Sequence, residues 1–240
     1  MRDRRRIALL VMAGAAVALV AGAIGLAKPK EPAPGQAGVT VQGRSSSTAA
    51  CKGVLQGELP RLTGLSNTRA QDSINADIES SLCTWAQQEM RLDDRENSGL
   101  TGFSMAYRVH YLDKHLVSIQ VQTGTISRKQ AHPAEHALTL NYLLADGARI
   151  ERSKLFYPYD LTLDNLLTVA SSPPRYAEWV NLTRSDTVEV DTFLIDNRGV
   201  VFVFDPCRLD ACAAGYVSLP VPYANLTGLI DPQGAAAPYL

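Results

Sequence analysis

Residues 7–27 form an unbroken run of 21 residues drawn only from Ala, Val, Ile, Leu, Met and Gly, preceded by four Arg within Met1–Arg6 and followed by Lys28. At 1.5 Å rise per residue, such a segment spans a bilayer hydrocarbon core of about 30 Å. The Arg cluster in front of it is the signal that holds a short N-terminus in the cytoplasm and sends the remainder outward. A secretory signal peptide has the same charged start, and Gly25, Leu26 and Ala27 offer the small residues a signal peptidase accepts, although its apolar region is usually about 7–15 residues long. Two readings therefore stand. One is an uncleaved single-pass anchor in the inner membrane with the domain outside; the other is a cleaved signal with a secreted or periplasmic product. Both export everything beyond Ala27. No Cys directly follows the run, which argues against lipoprotein processing there.

Residues 28–50 contain three Pro, three Gly and three consecutive Ser but almost no large apolar side chain, a composition that cannot offset the entropy of ordering. They read as a flexible linker reaching about 75 Å when extended. The folded part then lies between 51 and 240. Beyond residue 27 the chain has 19 basic and 23 acidic residues, so the exported part is mildly acidic. Basic residues are scattered without aromatic interleaving, and no nucleic-acid partner is expected.

Cys51, Cys83, Cys207 and Cys212 all lie beyond the apolar run, and an even number of Cys in an exported chain favours disulfides. Of the three possible connectivities, Cys51–Cys83 with Cys207–Cys212 ties the start of the domain to a helix and closes a short loop. Loop entropy assigns these about 3.7 and about 2.2 kcal/mol. A metal site is the alternative, but the Cys207/Cys212 spacing has no second Cys/His pair beside it. No metal or cofactor is expected.

Within the folded part, Ile74, Ile78, Leu82 and Trp85 make one helical stripe, with Ser66 or Asn67 as its cap. Phe103, Met105, Tyr107, Val109 and Tyr111 alternate with polar residues, as do Val117, Ile119 and Val121, which predicts a hairpin with one dry face. A strand over 137–144 should meet a turn at Asp146 and Gly147, with 149–156 returning as its partner. Asp160 can cap a short helix over 163–170, stopped by Pro173 and Pro174. Strands at 192–195 and 200–204, joined across Asp196–Gly199, precede another at 216–221 and a helical turn over 223–230. The fold class is therefore α+β: antiparallel sheets, one long N-terminal helix, short later helices and two small subdomains, 51–105 and 106–240.

No nucleophile elbow, zinc-protease helix, phosphate loop or dinucleotide fingerprint occurs. His132 and His136 have the i, i+4 spacing of metal ligands on a helix, but Pro133 between them and the strand pattern after them make loop histidines the default. His110 and His115 bracket a hairpin turn, where solvation is expected. Asp93 and Asp94 fall in a charged stretch and read as a solvated cluster.

Across 107–230, several short motifs occur in one order. A strand pair is followed by Ala131, His132 and Pro133, then a strand ending at an Asp-Gly turn, then Lys154, Leu155 and Phe156. After these come the pair 193–206, Ala214 with Gly215, and 219–226. In this order the chain resembles the RsiV-like C-terminal domain family and mycobacterial secreted antigens that share the domain. The resemblance implies an extracytoplasmic domain behind one hydrophobic segment, with residues 51–105 as the adjoining helix-on-sheet subdomain. In anti-sigma members it implies lysozyme binding outside and an anti-sigma segment inside. Here only Met1–Arg6 precede the apolar run, too little to hold a sigma factor, so that activity is not expected. His132 matches the family's turn histidine, read first as structural.

The function expected is that of a non-enzymatic envelope domain binding an envelope protein or a peptidoglycan-related ligand. Its binding surface is expected around the 128–136 turn and the 205–216 loop, with Arg128, His132, His136, Asp205 and Tyr216 as candidate residues. The alternatives are a cell-wall hydrolase using His132 with Asp205 or a nearby carboxylate, and a structural subunit of an envelope complex.

Overall fold

The computed structural model describes residues 38–45, 51, 55–96, 99–128, 133–157, 161–170, 190–209 and 215–234. The predicted span at 7–27 lies outside them; among the described residues no helix is long and apolar enough to cross a membrane. The described residues all belong to one unit, Glu31–Leu240.

The elements are β1 (Thr40–Ser45), β2 (Leu55–Thr63), α1 (Thr68–Glu96), β3 (Leu100–Leu112), β4 (Leu116–Ser127), β5 (Ala134–Leu143), α2 (Arg152–Leu155), α3 (Leu163–Val169), β6 (Phe193–Ile195), β7 (Gly199–Phe204) and β8 (Val217–Pro222). They build a five-stranded sheet in the order β1-β2-β3-β4-β5 and a three-stranded sheet in the order β6-β7-β8. The fold is α+β, with the long helix early and the short ones late.

Helix α1 starts where its cap requires. The Asn67 side chain accepts the Ala70 N–H at 3.1 Å, which satisfies one of the donors a helix N-terminus leaves open. The stripe of Ile74, Ile78, Leu82 and Trp85 is buried against Leu62, Phe103, Met105, Ile119, Val121, Leu140 and Tyr142. The Cys51–Cys83 disulfide fastens the chain ahead of β2 to this helix. Cys207 is also disulfide-bonded; its expected partner, Cys212, lies outside the described residues.

The structure departs from the sequence reading in identifiable places. Strand β1 occupies 40–45, inside the stretch assigned to a linker, and pairs antiparallel with β2. Its residues lack bulk, but Val39 is buried in the first core and anchors them. The sheets are not wholly antiparallel, because β2 pairs parallel to β3 over Leu55–Gly57. Parallel neighbours need a long crossover, and α1 supplies it. The pairing requires glycine at 57: φ is +130°, and a Cβ there would lie 2.2 Å from the Met105 carbonyl oxygen. Gly57 and Pro60 are also what concealed β2 as a strand in the sequence.

The subdomain boundary placed at 105/106 falls inside β3, and the second sheet begins only at Phe193. The expected return strand 149–156 is reduced to single bridges, Tyr142 with Arg149 and Phe156 with Ile230, with α2 between them. Thr162, not Asp160, caps α3, its hydroxyl accepting the Asn165 N–H at 3.2 Å. Pro173 and Pro174 lie outside the described residues.

The hairpin's second face is wet at Ser104, Ala106, Arg108 and Gln122 but covered near the turn. Ser118 is fully buried and Asn141 nearly so, because the three-stranded sheet packs over that side. Ser118 Oγ donates to Asn141 Oδ1 at 2.6 Å and accepts the Ile195 N–H at 3.0 Å, while Asn141 Nδ2 donates to the Phe193 carbonyl at 2.9 Å. Thr139 Oγ1 accepts the Phe193 N–H at 3.1 Å. The three polar side chains thus complete the hydrogen bonding of the edge strand β6 and join the two sheets. The second core, centred on Phe156, Phe193, Phe202, Leu219 and Val221, takes in Leu116 and Leu143 from the first sheet.

Strand β8 is the other edge of the small sheet, paired along its length with β7. In an antiparallel strand, alternate residues present their backbone groups to one side. Pro220 and Pro222 have no N–H to give β7, so the alternating set of Ser218, Pro220 and Pro222 is the one that faces outward. Two of these three lack a donor, so this edge is a poor template for an added strand.

Candidate functional site

His136, Asp205 and Tyr216 come together from three elements of the chain. His136 lies near the start of β5, Asp205 directly after β7 and Tyr216 directly before β8. The His136 Nδ1 is 3.0 Å from Asp205 Oδ2, and Asp205 Oδ1 accepts the Ala137 N–H at 2.7 Å. The Tyr216 hydroxyl donates to the His136 carbonyl at 3.1 Å. Asp205 therefore grips β5, an outer strand of the large sheet, by one side chain and one backbone group. Ala137 packs beside this grip with Leu194 and Val203 of the small sheet.

From α1, the Trp85 ring faces His136 with centroids 6.4 Å apart and meets Phe103 edge-on at 5.4 Å. The Trp85 indole N–H is buried, without a hydrogen-bond partner among the described residues. The Asp205 hydrogen bond raises the His136 pKa above its usual value; burial opposes this, the negative charges of Asp205 and Glu89 add to it, and Arg208 subtracts. Burial, then Glu135 and Asp205, push the Tyr216 hydroxyl well above the ordinary phenol range.

The other candidates behave differently. Arg128 is exposed, its backbone N–H donates to the Gly99 carbonyl at 3.0 Å, and no described residue ties its side chain to the pair. His132 lies outside the described residues. Among the described residues no cluster of His, Cys, Asp and Glu could hold a metal ion.

His110 is not solvated as its place near a turn suggested. It sits where the β3–β4 register shifts between Val109 and Tyr111, a bulge that turns its ring toward Asp196. Its Nε2 is buried, 3.6 Å from Asp196 Oδ2, just beyond hydrogen-bond distance. Asp196 Oδ1 is engaged in closing the 196–199 turn, accepting the Arg198 and Gly199 N–H groups at 2.6 and 3.0 Å. Burial lowers the His110 pKa, with Arg108 and Arg198 adding to the effect and Asp196 opposing it.

The two histidines give opposite pH dependence. The fold favours protonated His136, so its contribution is complete below the unfolded value near 6.5 and is lost as pH rises through the raised folded value. The fold favours neutral His110, whose contribution is complete above the unfolded value and is lost as pH falls through the lowered folded value. Thermal melts across about pH 5–8 should show the alkaline loss flattened in His136→Asn and the acid loss flattened in His110→Gln. Wild-type pH profiles in both variants would contradict these assignments.

A second concavity, of about 540 Å³, opens beside β5 and the start of β6. Thr139 and Asn141 line it together with Arg149, Arg152, Ser153 and Asp191. Nothing in the sequence marked it, since its walls combine β5, the segment after it and the start of β6.

No family model and no curated protein matches this sequence. Among solved structures the chain is similar to a DUF3298-family protein from Bacteroides fragilis, with a TM-score of 0.52 and 13% identity, covering 81% of this chain and 92% of that one. It is similar likewise to a DUF3298-family protein from Pseudomonas aeruginosa, with a TM-score of 0.51 and 12% identity, covering 81% and 93%. At these identities, what the chain shares with the DUF3298 proteins is the fold.

Proposed function

We propose that this chain is an envelope protein, tethered through residues 7–27 or secreted, whose domain binds a protein or a cell-wall ligand without catalysis. The observation that carries this reading is the grip of Asp205 and Tyr216 on β5. Both oxygens of Asp205 and the Tyr216 hydroxyl are engaged by His136 and Ala137, so the cluster fixes the start of β5 and the partly exposed surface around it. The Cys51–Cys83 bond supports an oxidising compartment. The order of motifs across 107–230 supports kinship with the RsiV-like C-terminal domain family.

Immobilised full-length protein should retain a partner from a panel of lysozyme, peptidoglycan fragments and envelope extract. Retention should fall by about tenfold, or about 1.4 kcal/mol, in Asp205→Asn. No retained partner under any condition counts against the reading. Hydrolysis of peptidoglycan that disappears in a folded His132→Ala variant would replace it with the hydrolase alternative.

A further inference from the structure

The concavity beside β5 has chemistry that the binding surface at His136 lacks. Its two guanidinium groups are held from behind. Arg149 Nη1 donates to Ser81 Oγ at 2.7 Å and Asp77 Oδ2 at 3.3 Å, while Arg152 donates through Nη1 to Asp191 Oδ1 at 2.8 Å and through Nη2 to the Leu161 carbonyl at 3.1 Å. Both arginines are about one-third exposed, at 33% and 32%. The Nε and Nη2 of Arg149 and the Nε of Arg152 have no acceptor among the described residues, and Ser153 is exposed beside them. Acceptor capacity is open as well: Asp191 Oδ2 receives no donor there, and Glu151 has only Lys154 at 4.0 Å.

Two positive and two negative groups line the space, so neither a simple anion nor a simple cation is matched by its net charge. Open donors and open acceptors of both signs, with Arg149, Arg152 and Asp191 held by hydrogen bonds and Glu151 exposed beside them, match a ligand that carries both signs itself. The floor is rigid, because Thr139 and Asn141 are fixed by their bonds to Phe193. A volume of about 540 Å³ suits a small molecule larger than one amino acid.

We propose that this concavity is a binding site for a short zwitterionic peptide. The carboxylate lies against the open donors of Arg149 and Arg152, and the ammonium against Asp191 and Glu151. The site is separate from the His136–Asp205 surface, and its existence does not depend on the function proposed for that surface.

Calorimetric titration of the full chain with alanyl-alanine is the test, using the free dipeptide, its N-acetyl form and its C-amide form as probes. The free form should bind with a dissociation constant below about 1 mM, and each cap should weaken it about tenfold. Asp191→Asn should weaken the free form but not the N-acetyl form; Arg149→Gln should weaken the free form but not the C-amide form. These paired comparisons separate lost recognition from lost folding, which would abolish all three. The absence of heat from the free dipeptide up to about 10 mM, or equal binding of free and capped forms, overturns the proposal.

Discussion

Asn141→Leu should destabilise the domain by about 3 kcal/mol although it keeps the branching and heavy-atom count of the side chain and adds apolar surface to a core. The substitution takes the Asn141 donor from the Phe193 carbonyl and the acceptor from the Ser118 hydroxyl, which keeps only the Ile195 N–H, at about 1–3 kcal/mol for each stranded buried group. Ser118→Ala should cost about 2 kcal/mol by stranding the Ile195 N–H and the Asn141 Oδ1. The double variant should lose less than the sum, because Ser118 and Asn141 share a bond that each single change already breaks. Urea unfolding of the three variants measures this. Strict additivity, or a loss within about 0.5 kcal/mol for Asn141→Leu, would show that the two sheets are not joined through these side chains.

Loss of the Cys51–Cys83 bond should cost a similar amount by a different route. The bond closes a loop with a sequence separation of 32, for which loop entropy gives about 3.7 kcal/mol. The variant Cys51→Ser/Cys83→Ser should therefore unfold at markedly lower urea, while Asn67 and the buried stripe still specify α1. Because the destabilisation acts mainly on the unfolded chain, the spectroscopic signature of the folded double variant should match that of the wild type. A wild-type midpoint would mean that the segment ahead of β2 is held by its other contacts alone.

What the sequence disclosed and what it concealed follow from the range of each interaction. The stripe on α1, the cap at Asn67, the β3–β4 hairpin and the Asp196–Gly199 turn are local patterns, and each forms where the residues indicated. Strand β2 stayed hidden because Gly57 and Pro60 break a strand pattern, and only the parallel neighbour β3 shows why Gly57 is there. Ser118 fell on the polar side of its strand, and Thr139 and Asn141 were given no role, because nothing local announces a second sheet on that side. The candidate site was legible in part: His136, Asp205 and Tyr216 were named for their places in the 128–136 turn and the 205–216 loop, and they do meet. Trp85, assigned only to the helix stripe, faces His136 across 6.4 Å. His110 was misplaced because a bulge cannot be read from alternation. Arg149, Arg152 and Asp191 converge only through the path of the chain between β5 and β6.

The central claim is that this fold stands outside the cytoplasmic membrane, and protease treatment of intact spheroplasts tests it most directly. With the redox state of Cys51 and Cys83 read in the same sample by mass shift on alkylation, the claim predicts a folded domain that is secreted or cleaved from outside, with both thiols oxidised. A domain that remains cell-associated and is degraded only after lysis, with both thiols free to react, would contradict it.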